Sequence, residues 1–371
     1  MKKIFVSVSN DVYGDNRVKK TCRSLSNYGL EVHLLCKYSP ACADAESDFY
    51  RLLPLKCFFK KNVFFYAEFN LRLFFSLLFK PIDVLWANDL DTLLALFVVS
   101  KLRRKPLIFD SHELFTQVAE LNYNPFAKKV WTLIERSILP KLKYVVTVCQ
   151  PIKEYFKNKY NIEAAVVRNI PLYKEENQQP KHYPLEEKFI VWQGATNIDR
   201  SLEDLVTAMK DVDAKLYIMG QGDVLNSLRR QVKENHLKEK VIITGRLNFE
   251  QMMTYTRKAS LGLSLDRPTN KNYEISLPNK IFEYINSATP ILATPLCEIR
   301  NIVETYEVGE FIEEPTPKNI AKRINELLSD ENKLQRLSDN CLKAQKELSW
   351  QREEKSVFDI LDKIFQSQKV D

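Results

Sequence analysis

Glycine is scarce in this chain, with 8 in 371 residues. No GxGxxG fingerprint forms, and Gly14 stands alone in the first strand-to-helix loop. A dinucleotide-binding loop of that type is therefore unsupported. Histidine is sparser still, with 4 copies, so an imidazole-rich metal centre has little to build from. The 7 cysteines are scattered singly and none forms a CxxC. That pattern argues against a zinc site or a disulfide framework and for reduced thiols in a cytoplasm. Long apolar runs are missing too. The most aromatic stretch, 58–79, is broken by Lys60, Lys61, Glu68 and Arg72, too often for a membrane span. No helix-turn-helix, zinc-finger or aromatic-plus-basic RNA spacing occurs, and no nucleic-acid partner is expected.

What remains is a globular composition, 45% hydrophobic and 28% charged, long enough for two domains. Its charge is uneven. Residues 1–170 hold 26 Lys+Arg against 16 Asp+Glu, or +10; the other 29 against 32 give −3, and the sum is the overall +7. A basic first half points to an anionic surface near it, such as membrane lipid or a phosphorylated acceptor. Stretch 58–79 fits two descriptions: a helix packed on a sheet, or an interfacial helix with basic residues toward lipid headgroups. Packing is favoured, with part of the surface touching membrane.

Short apolar runs alternate with helical patterns along the whole chain, which reads as parallel α/β architecture. MKKIFVSVSN reads as a first strand rather than a signal peptide. The expected division is a first domain over 1–171, a polar linker over 172–188, a second domain over 189–345, and a C-terminal helix over 346–371. That helix is expected to return to the first domain through Trp350 and the apolar stripe 357–365.

Polar clusters follow the expected strands, where open α/β sheets place their ligands. In the first half they are Asn16-Arg17, Asn88-Asp89-Leu90 and Asp110-Ser111-His112-Glu113; in the second, Gly194 with Arg200, and Gly245-Arg246-Leu247. His112 fits either a sugar-facing imidazole or part of a capped helix start. Arg17 either opens a helix or meets a phosphate. Asp89/Asp91 and Asp211/Asp213 have DxD spacing but no third ligand nearby, so no metal is expected.

The most informative stretch runs from Asp266 to Thr294. It opens as a polar loop. Ser276-Leu277-Pro278 reads as a helix start, with a capping hydroxyl and a proline in the first turn. Ile281, Tyr284, Ile285 and Ala288 form a buried face at helical spacing, and Lys280, Glu283 and Asn279 a polar one. A helix start carrying a lysine suits a phosphate. A carboxylate one turn deeper, Glu283, suits sugar hydroxyls. An ordinary surface helix with a Lys/Glu pair is the alternative.

LPNKIFEYINSATPIL resembles the nucleotide-sugar motif of the family-4 retaining glycosyltransferases. In that family two glutamates eight positions apart flank the helix start. Glu283 matches the second; the first falls on Ile275, with Glu274 one residue away. DSHELF resembles the DxHEL segment of one branch of the family, and Asn88-Asp89-Leu90 its upstream polar pair. Gly194-Ala195-Thr196 with Arg200 is similar to the loop that grips the diphosphate, although Ala195 stands where arginine is usual.

The resemblance implies a GT-B fold: two Rossmann-like, doubly wound parallel-sheet domains facing a central cleft. It also implies a metal-independent hexosyltransferase of the retaining type, working on a bacterial surface glycan. His112, Asp89 and Glu274 would be catalytic. Gly14, Gly194, Arg200, Arg246, Leu247, Pro278, Asn279, Lys280 and Glu283 would bind the donor, and Asn16 and Arg17 the acceptor. The partners would be a nucleotide sugar, a glycan or lipid-diphosphate-linked acceptor, and the anionic inner face of the cell membrane. A nucleotide-sugar 2-epimerase and a non-catalytic carbohydrate-binding relative are the alternatives.

Overall fold

The computed structural model describes residues 1–45, 47–118, 121, 124–175 and 180–368. The chain forms two compact units, one of Met1–Asn169 with Glu353–Asp371, the other of Ile170–Arg352.

The first unit is built on seven parallel strands: β1 (Lys3–Ser7), β2 (Glu31–Lys37), β3 (Arg51–Leu55), β4 (Val84–Asn88), β5 (Leu107–Ser111), β6 (Tyr144–Thr147) and β7 (Ala165–Val166). Their order is β3-β2-β1-β4-β5-β6-β7. The winding reverses between β1 and β4, and a sheet of this kind opens its ligand crevice at such a reversal. β3 is unexpected from sequence because it contains Pro54. Its edge position explains the tolerance, since proline removes only an outward-facing donor there.

Helices α1 (Asn16–Asn27), α2 (Asn62–Leu78), α3 (Leu90–Arg103), α4 (Pro125–Ile138) and α5 (Gln150–Tyr160) connect these strands. Asp15 caps α1 by accepting the Val18 N–H at 3.0 Å. Asn124 caps α4, with Pro125 in its first turn. α2 buries Phe65, Phe69, Leu73 and Leu77, one residue per turn. It therefore packs on the sheet, as favoured above, but its other side is also apolar.

The second unit carries β8 (Phe189–Gln193), β9 (Lys215–Met219), β10 (Val241–Gly245), β11 (Leu261–Ser264), β12 (Ile291–Ala293) and β13 (Gly309–Phe311). All are parallel, in the order β10-β9-β8-β11-β12-β13. Its helices are α6 (Leu202–Ala208), α7 (Leu225–Glu234), α8 (Phe249–Lys258), α9 (Lys271–Ile275), α10 (Asn279–Ile285), α11 (Cys297–Tyr306), α12 (Pro317–Ser329) and α13 (Glu331–Ala344). Trp192, Leu205, Ile218, Leu263, Leu292 and Ile324 are among the side chains that fill the core.

The described part of 172–188 packs onto this unit. Lys181 is buried, and its ammonium donates to the Ala259 carbonyl at 2.7 Å and to Thr289 Oγ1 at 2.6 Å. Ala259 ends α8, where unpaired carbonyls favour a cation.

The last helix, α14 (Trp350–Ser367), buries Val357, Ile360, Leu361 and Ile364. Tyr28 of α1 meets Phe358 and Phe365 at 5.5 and 6.2 Å, and Arg168 forks onto Glu353 at 2.7 and 3.1 Å. The apolar stripe thus docks on the first unit.

The 266–294 region differs from expectation at its start. Residues 271–275 form α9 rather than a loop, and Ser276 serves that helix, donating to the Tyr273 carbonyl at 3.2 Å. α10 has Pro278 as its N-cap, extended at ψ 137 and without a side-chain capping bond. Tyr284 anchors α10 to the sheet: its hydroxyl donates to the Leu263 carbonyl at 3.0 Å. A Cβ on Gly262 would stand 2.6 Å from the Tyr284 ring. Gly262→Ala should therefore destabilise the protein by about 1–3 kcal/mol, as overpacking generally does. Urea unfolding of the variant checks this; an unchanged midpoint would mean that the ring is free to move aside.

Candidate functional site

The second unit gathers three strand ends into one stitched edge. The Gly194 N–H donates to the Met219 carbonyl, the Gly220 N–H to Gly245, and the Thr196 N–H to Gln221, at 3.0, 3.0 and 3.2 Å. A Cβ on Gly220 would lie 1.8 Å from the Gly194 oxygen, so only glycine permits this approach.

At this edge Asp266, just past β11, holds two cations. Arg200 Nη1 lies 3.1 Å from Asp266 Oδ1, and Lys280 Nζ 3.2 Å from Oδ2. Ser264 Oγ donates to the same carboxylate at 3.3 Å. Lys280 is only 4% exposed, so it does not lie on a polar outer face of α10 as expected. The partner explains the correction. Asp266 draws the ammonium inward, and position 280 lies one turn from the buried Tyr284. The ammonium sits 4.5 Å from the centre of the Trp192 ring.

Burial pulls the Lys280 ammonium down to about 8, although Asp266 partly opposes this. Burial would raise the Asp266 carboxyl, but Lys280 and Arg200 outweigh it and hold the pKa below the usual value. Several buried donors here find no hydrogen-bond acceptor at good geometry: Lys280 Nζ, Arg200 Nε, Thr196 Oγ1, Ser201 Oγ and Trp192 Nε1. Orphaned buried donors on cationic groups suit an anion rich in oxygen. α10 is only seven residues long. Lys280 and Arg200, rather than a long helix dipole, supply the positive charge.

Glu283 is half-buried and accepts from Gln193 Nε2 at 2.5 Å, and Gln193 Oε1 accepts from Thr256 Oγ1 at 2.7 Å. Asn279 and Arg246 are exposed, and Pro278 and Leu247 half-buried. Glu274 pairs with Lys271 at 3.1 Å in solvent. A catalytic Glu274 is not what this geometry supports: the position eight before Glu283 is Ile275, which is buried, and Glu274 lies one step around α9 on its exposed side.

The first unit builds a second cluster at its own strand ends. His112 Nδ1 lies 3.1 Å from Asp89 Oδ2, and its Nε2 3.4 Å from Asp110 Oδ2. Asp89 also accepts the His112 backbone N–H at 2.8 Å. Asp89 itself adopts φ +56 at the start of α3, a strained conformation for a non-glycine residue. Arg17 Nη2 and Nε reach the two oxygens of Asp110 at 2.6 and 3.2 Å, and its Nη1 donates to the Val167 carbonyl at 2.7 Å. Arg17 is buried, which corrects its assignment to an acceptor: its guanidinium is taken up inside the fold. Asn16, half-buried, and Gly14, exposed, lie just outside this cluster in sequence.

Burial alone would lower the His112 pKa, but Asp89 and Asp110 outweigh it and raise it well above the ordinary value. The ring is held as an imidazolium. Asp110, despite its burial, is held well below the usual carboxylate range by Arg17 and His112. Asp91 behaves oppositely. Burial, then the charge of Asp89, pushes its carboxyl up to about 7, and Ser9 Oγ donates to it. Asp89 is thus engaged with His112, and Asp91 with Ser9. The DxD spacing does not present two free carboxylates together.

Two family models cover nearly the whole chain. "Glycosyltransferase Family 4" matches residues 15–172, and "Glycosyl transferases group 1" matches residues 173–344. This chain belongs to the family-4-type glycosyltransferases. A curated relative, an uncharacterized glycosyltransferase of Methanocaldococcus jannaschii, is 23% identical over 201 residues. That match spans 54% of this chain and 55% of the relative, about half of each. Among solved structures, a sucrose-phosphate synthase from Thermosynechococcus elongatus superposes with a TM-score of 0.77 at 16% identity, covering 99% of this chain and 100% of that one. Anabaena HepE in complex with UDP-glucose gives 0.76 at 13% identity, covering 98% and 100%. These likenesses establish the GT-B fold for this glycosyltransferase.

Sequence reading of the glycosyltransferase missed Asp266, Gln193 and the inward role of Arg17. Asp266 carries the same signal as the residues that were found, a polar side chain immediately past a strand. Gln193, the last residue of β8, carries no signal of its own. Asp91 offers a test of the first cluster. Its folded pKa is raised, so the folded state binds the extra proton between about 4 and 7, and stability falls as pH rises through that window. Asp91→Asn should abolish that decline and gain on the order of 1–3 kcal/mol at pH 8. Urea midpoints from pH 5 to pH 8 measure it; parallel pH curves for the two proteins would show that Asp91 is ionised throughout.

Proposed function

We propose that this glycosyltransferase moves a hexosyl group from a nucleoside-diphosphate sugar to a glycan acceptor, with retention of configuration. The observation that carries this reading is the pair of cations, buried Lys280 and half-buried Arg200, sharing one carboxylate beside buried donors that have no acceptor. A diphosphate supplies the oxygens they lack. The HepE structure with UDP-glucose supports the choice of donor.

In the reaction, the bond between the sugar C1 and the diphosphate oxygen breaks, and its electron pair stays on the phosphate. Lys280 and Arg200 are placed to stabilise that charge, and preorganised charge at a leaving group is usually the largest catalytic contribution. The acceptor hydroxyl bonds to C1, and its proton passes to the leaving phosphate, as family resemblance implies. Glu283, oriented by Gln193, would hold sugar hydroxyls; Arg246 and Leu247 would lie by the nucleotide base. In the first unit, His112 would orient the sugar and acceptor, with Asp89 and Asp110 fixing its charge and ring. We assign the acceptor to a lipid-diphosphate-linked glycan at the cytoplasmic face of the membrane, and the pathway to surface polysaccharide synthesis. The excess of basic residues in the first half supports that choice.

UDP-glucose is the first probe, followed by a panel of nucleotide sugars. Removing Lys280 alone strands part of the Asp266 charge, so the informative variant is Lys280→Met combined with Asp266→Asn. Loss of one charge-assisted contact is worth roughly 1.5–3 kcal/mol, so diphosphate affinity by calorimetry should fall about ten- to a hundredfold. An unchanged dissociation constant overturns the donor assignment. Affinity of the native protein should also decline as pH rises through about 8, where Lys280 loses its proton.

Transfer is read as metal-independent. Turnover in excess EDTA should match turnover in magnesium; a chelator-sensitive rate restored by a divalent ion would refute this. Epimerisation of the donor without an acceptor would instead identify the 2-epimerase alternative.

A further inference from the structure

We infer that the outward surface of α2, α3 and α4 is a docking face for an anionic lipid bilayer. The inference deepens the reading of a lipid-borne acceptor, and its evidence is separate from the sugar-transfer chemistry.

α2 is apolar on two sides. Phe65, Phe69, Leu73 and Leu77 bury one stripe against the fold. On the opposite side Phe64, Leu71 and Phe75 are 64%, 58% and 60% exposed, and Phe79, just past the helix, is 86% exposed. Surface helices ordinarily carry charged and polar residues there. α3 repeats the pattern: Leu94, Val98 and Leu102 recur every four residues and are exposed. So does α4, with exposed Phe126 and Leu133 two turns apart.

The fold places these residues in one layer. The connections β3 to β4, β4 to β5 and β5 to β6 all run in the same direction across the sheet, and right-handed crossovers put their helices on one side of it. Direct contacts agree. Asn70 of α2 donates to the Asp91 carbonyl and accepts the Ala95 N–H, at 2.7 and 3.1 Å. Tyr66 of α2 meets Trp131 of α4 edge-on at 5.3 Å.

Charge selects the occupant. The three helices carry six basic residues and three carboxylates. Each carboxylate is buried or already paired. Asp91 and Glu135 are buried. Glu68 accepts the N–H groups of Phe58 and Phe59 at 2.9 Å or slightly more, and Arg72 Nε at 2.7 Å. This arrangement consumes the acid of α2 and pins the exposed Phe58–Phe59 loop beside the patch. Lys60, Lys61, Lys80, Lys101 and Arg104 are exposed at the helix ends and margins. The result is an apolar surface with a positive rim and no exposed carboxylate on its helices. Hydrocarbon beneath negative headgroups matches both features, and the spread over three helices suits a plane rather than a groove. Among the described residues no helix is long and apolar enough to cross a membrane, so the face attaches without spanning.

The test is co-sedimentation of the full chain with vesicles of phosphatidylcholine alone and of phosphatidylcholine with phosphatidylglycerol. Binding should be strong to the anionic vesicles at low salt and should weaken as salt rises. Phe64→Ser with Phe75→Ser, and separately Lys60→Glu with Lys61→Glu, should each weaken it about tenfold or more. These side chains are exposed, so the variants should melt as the native protein does and keep its UDP-glucose response. No binding to anionic vesicles at low salt, or binding that the variants leave intact, overturns the proposal. Self-association through this face, lost in the phenylalanine variant and unaffected by lipid, overturns it in favour of a second copy of the chain. Failure of the donor reading would appear elsewhere, as a missing UDP-glucose response in the native protein.

Discussion

One buried carboxylate, Asp266, organises the strand-end edge of the second unit. Without Asp266, half-buried Arg200 and buried Lys280 would be two like charges brought together, and burial already pulls Lys280 toward its neutral form. A unit-charge pair about 4 Å apart near a protein surface interacts by about 4 kcal/mol. A single carboxylate facing two cations can therefore offset their mutual repulsion and part of their desolvation. The bridge also fixes geometry, because Asp266 follows β11, Arg200 leads into α6 and Lys280 opens α10. Under the function proposed above, a diphosphate arriving here would meet cations that are already oriented and would compete with Asp266 for them. The bridge leaves both positive groups with unused hydrogen-bonding capacity, at Lys280 Nζ and Arg200 Nε.

The first unit solves a related problem with the signs reversed. Asp89 and Asp110 are neighbouring carboxylates at the ends of β4 and β5, and Arg17 and the His112 imidazolium neutralise them. For Asp91 the charge of His112 is outweighed by burial and by Asp89, and its carboxyl is pushed up to about 7 instead. The distinction lies in partners rather than burial, since Asp110 and Asp91 are both buried. The positive φ of Asp89 belongs to the same device: it brings the carboxylate to both the backbone N–H and the ring of His112.

Much of this was legible in the sequence, and the reasons differ by feature. Parallel strands buried on both faces are short continuous apolar runs, so Tyr144–Thr147, Phe189–Gln193 and Lys215–Met219 could be read with their boundaries. β3 could not, because Pro54 disqualifies a strand unless its edge position is known. Residues past strand ends were legible as a class, which found Asp89, His112, Arg200 and Arg246. Which of them turn inward was not. Arg17 and Lys280 are charged residues at helix starts, and only the partner carboxylates, 93 and 14 positions away, decide that they are buried. Lys181, in a stretch that reads as a polar linker, is buried by carbonyls far along the chain.

The aromatic stretch shows why such alternatives resist decision from sequence. A packed helix and an interfacial helix each need one apolar side, and 62–78 has two. Composition reports their sum and cannot separate them. Once Phe65, Phe69, Leu73 and Leu77 are assigned to the core, Phe64, Leu71 and Phe75 remain more than half exposed, although Phe64 meets Phe59 and Phe75 meets Phe74. The exposed part of these side chains adds little to folding, since water contacts it before and after. The capture of Glu68 by the Phe58–Phe59 backbone then gains a meaning that stability alone would not give it. It removes the one negative group of α2 from a surface whose remaining charges are positive.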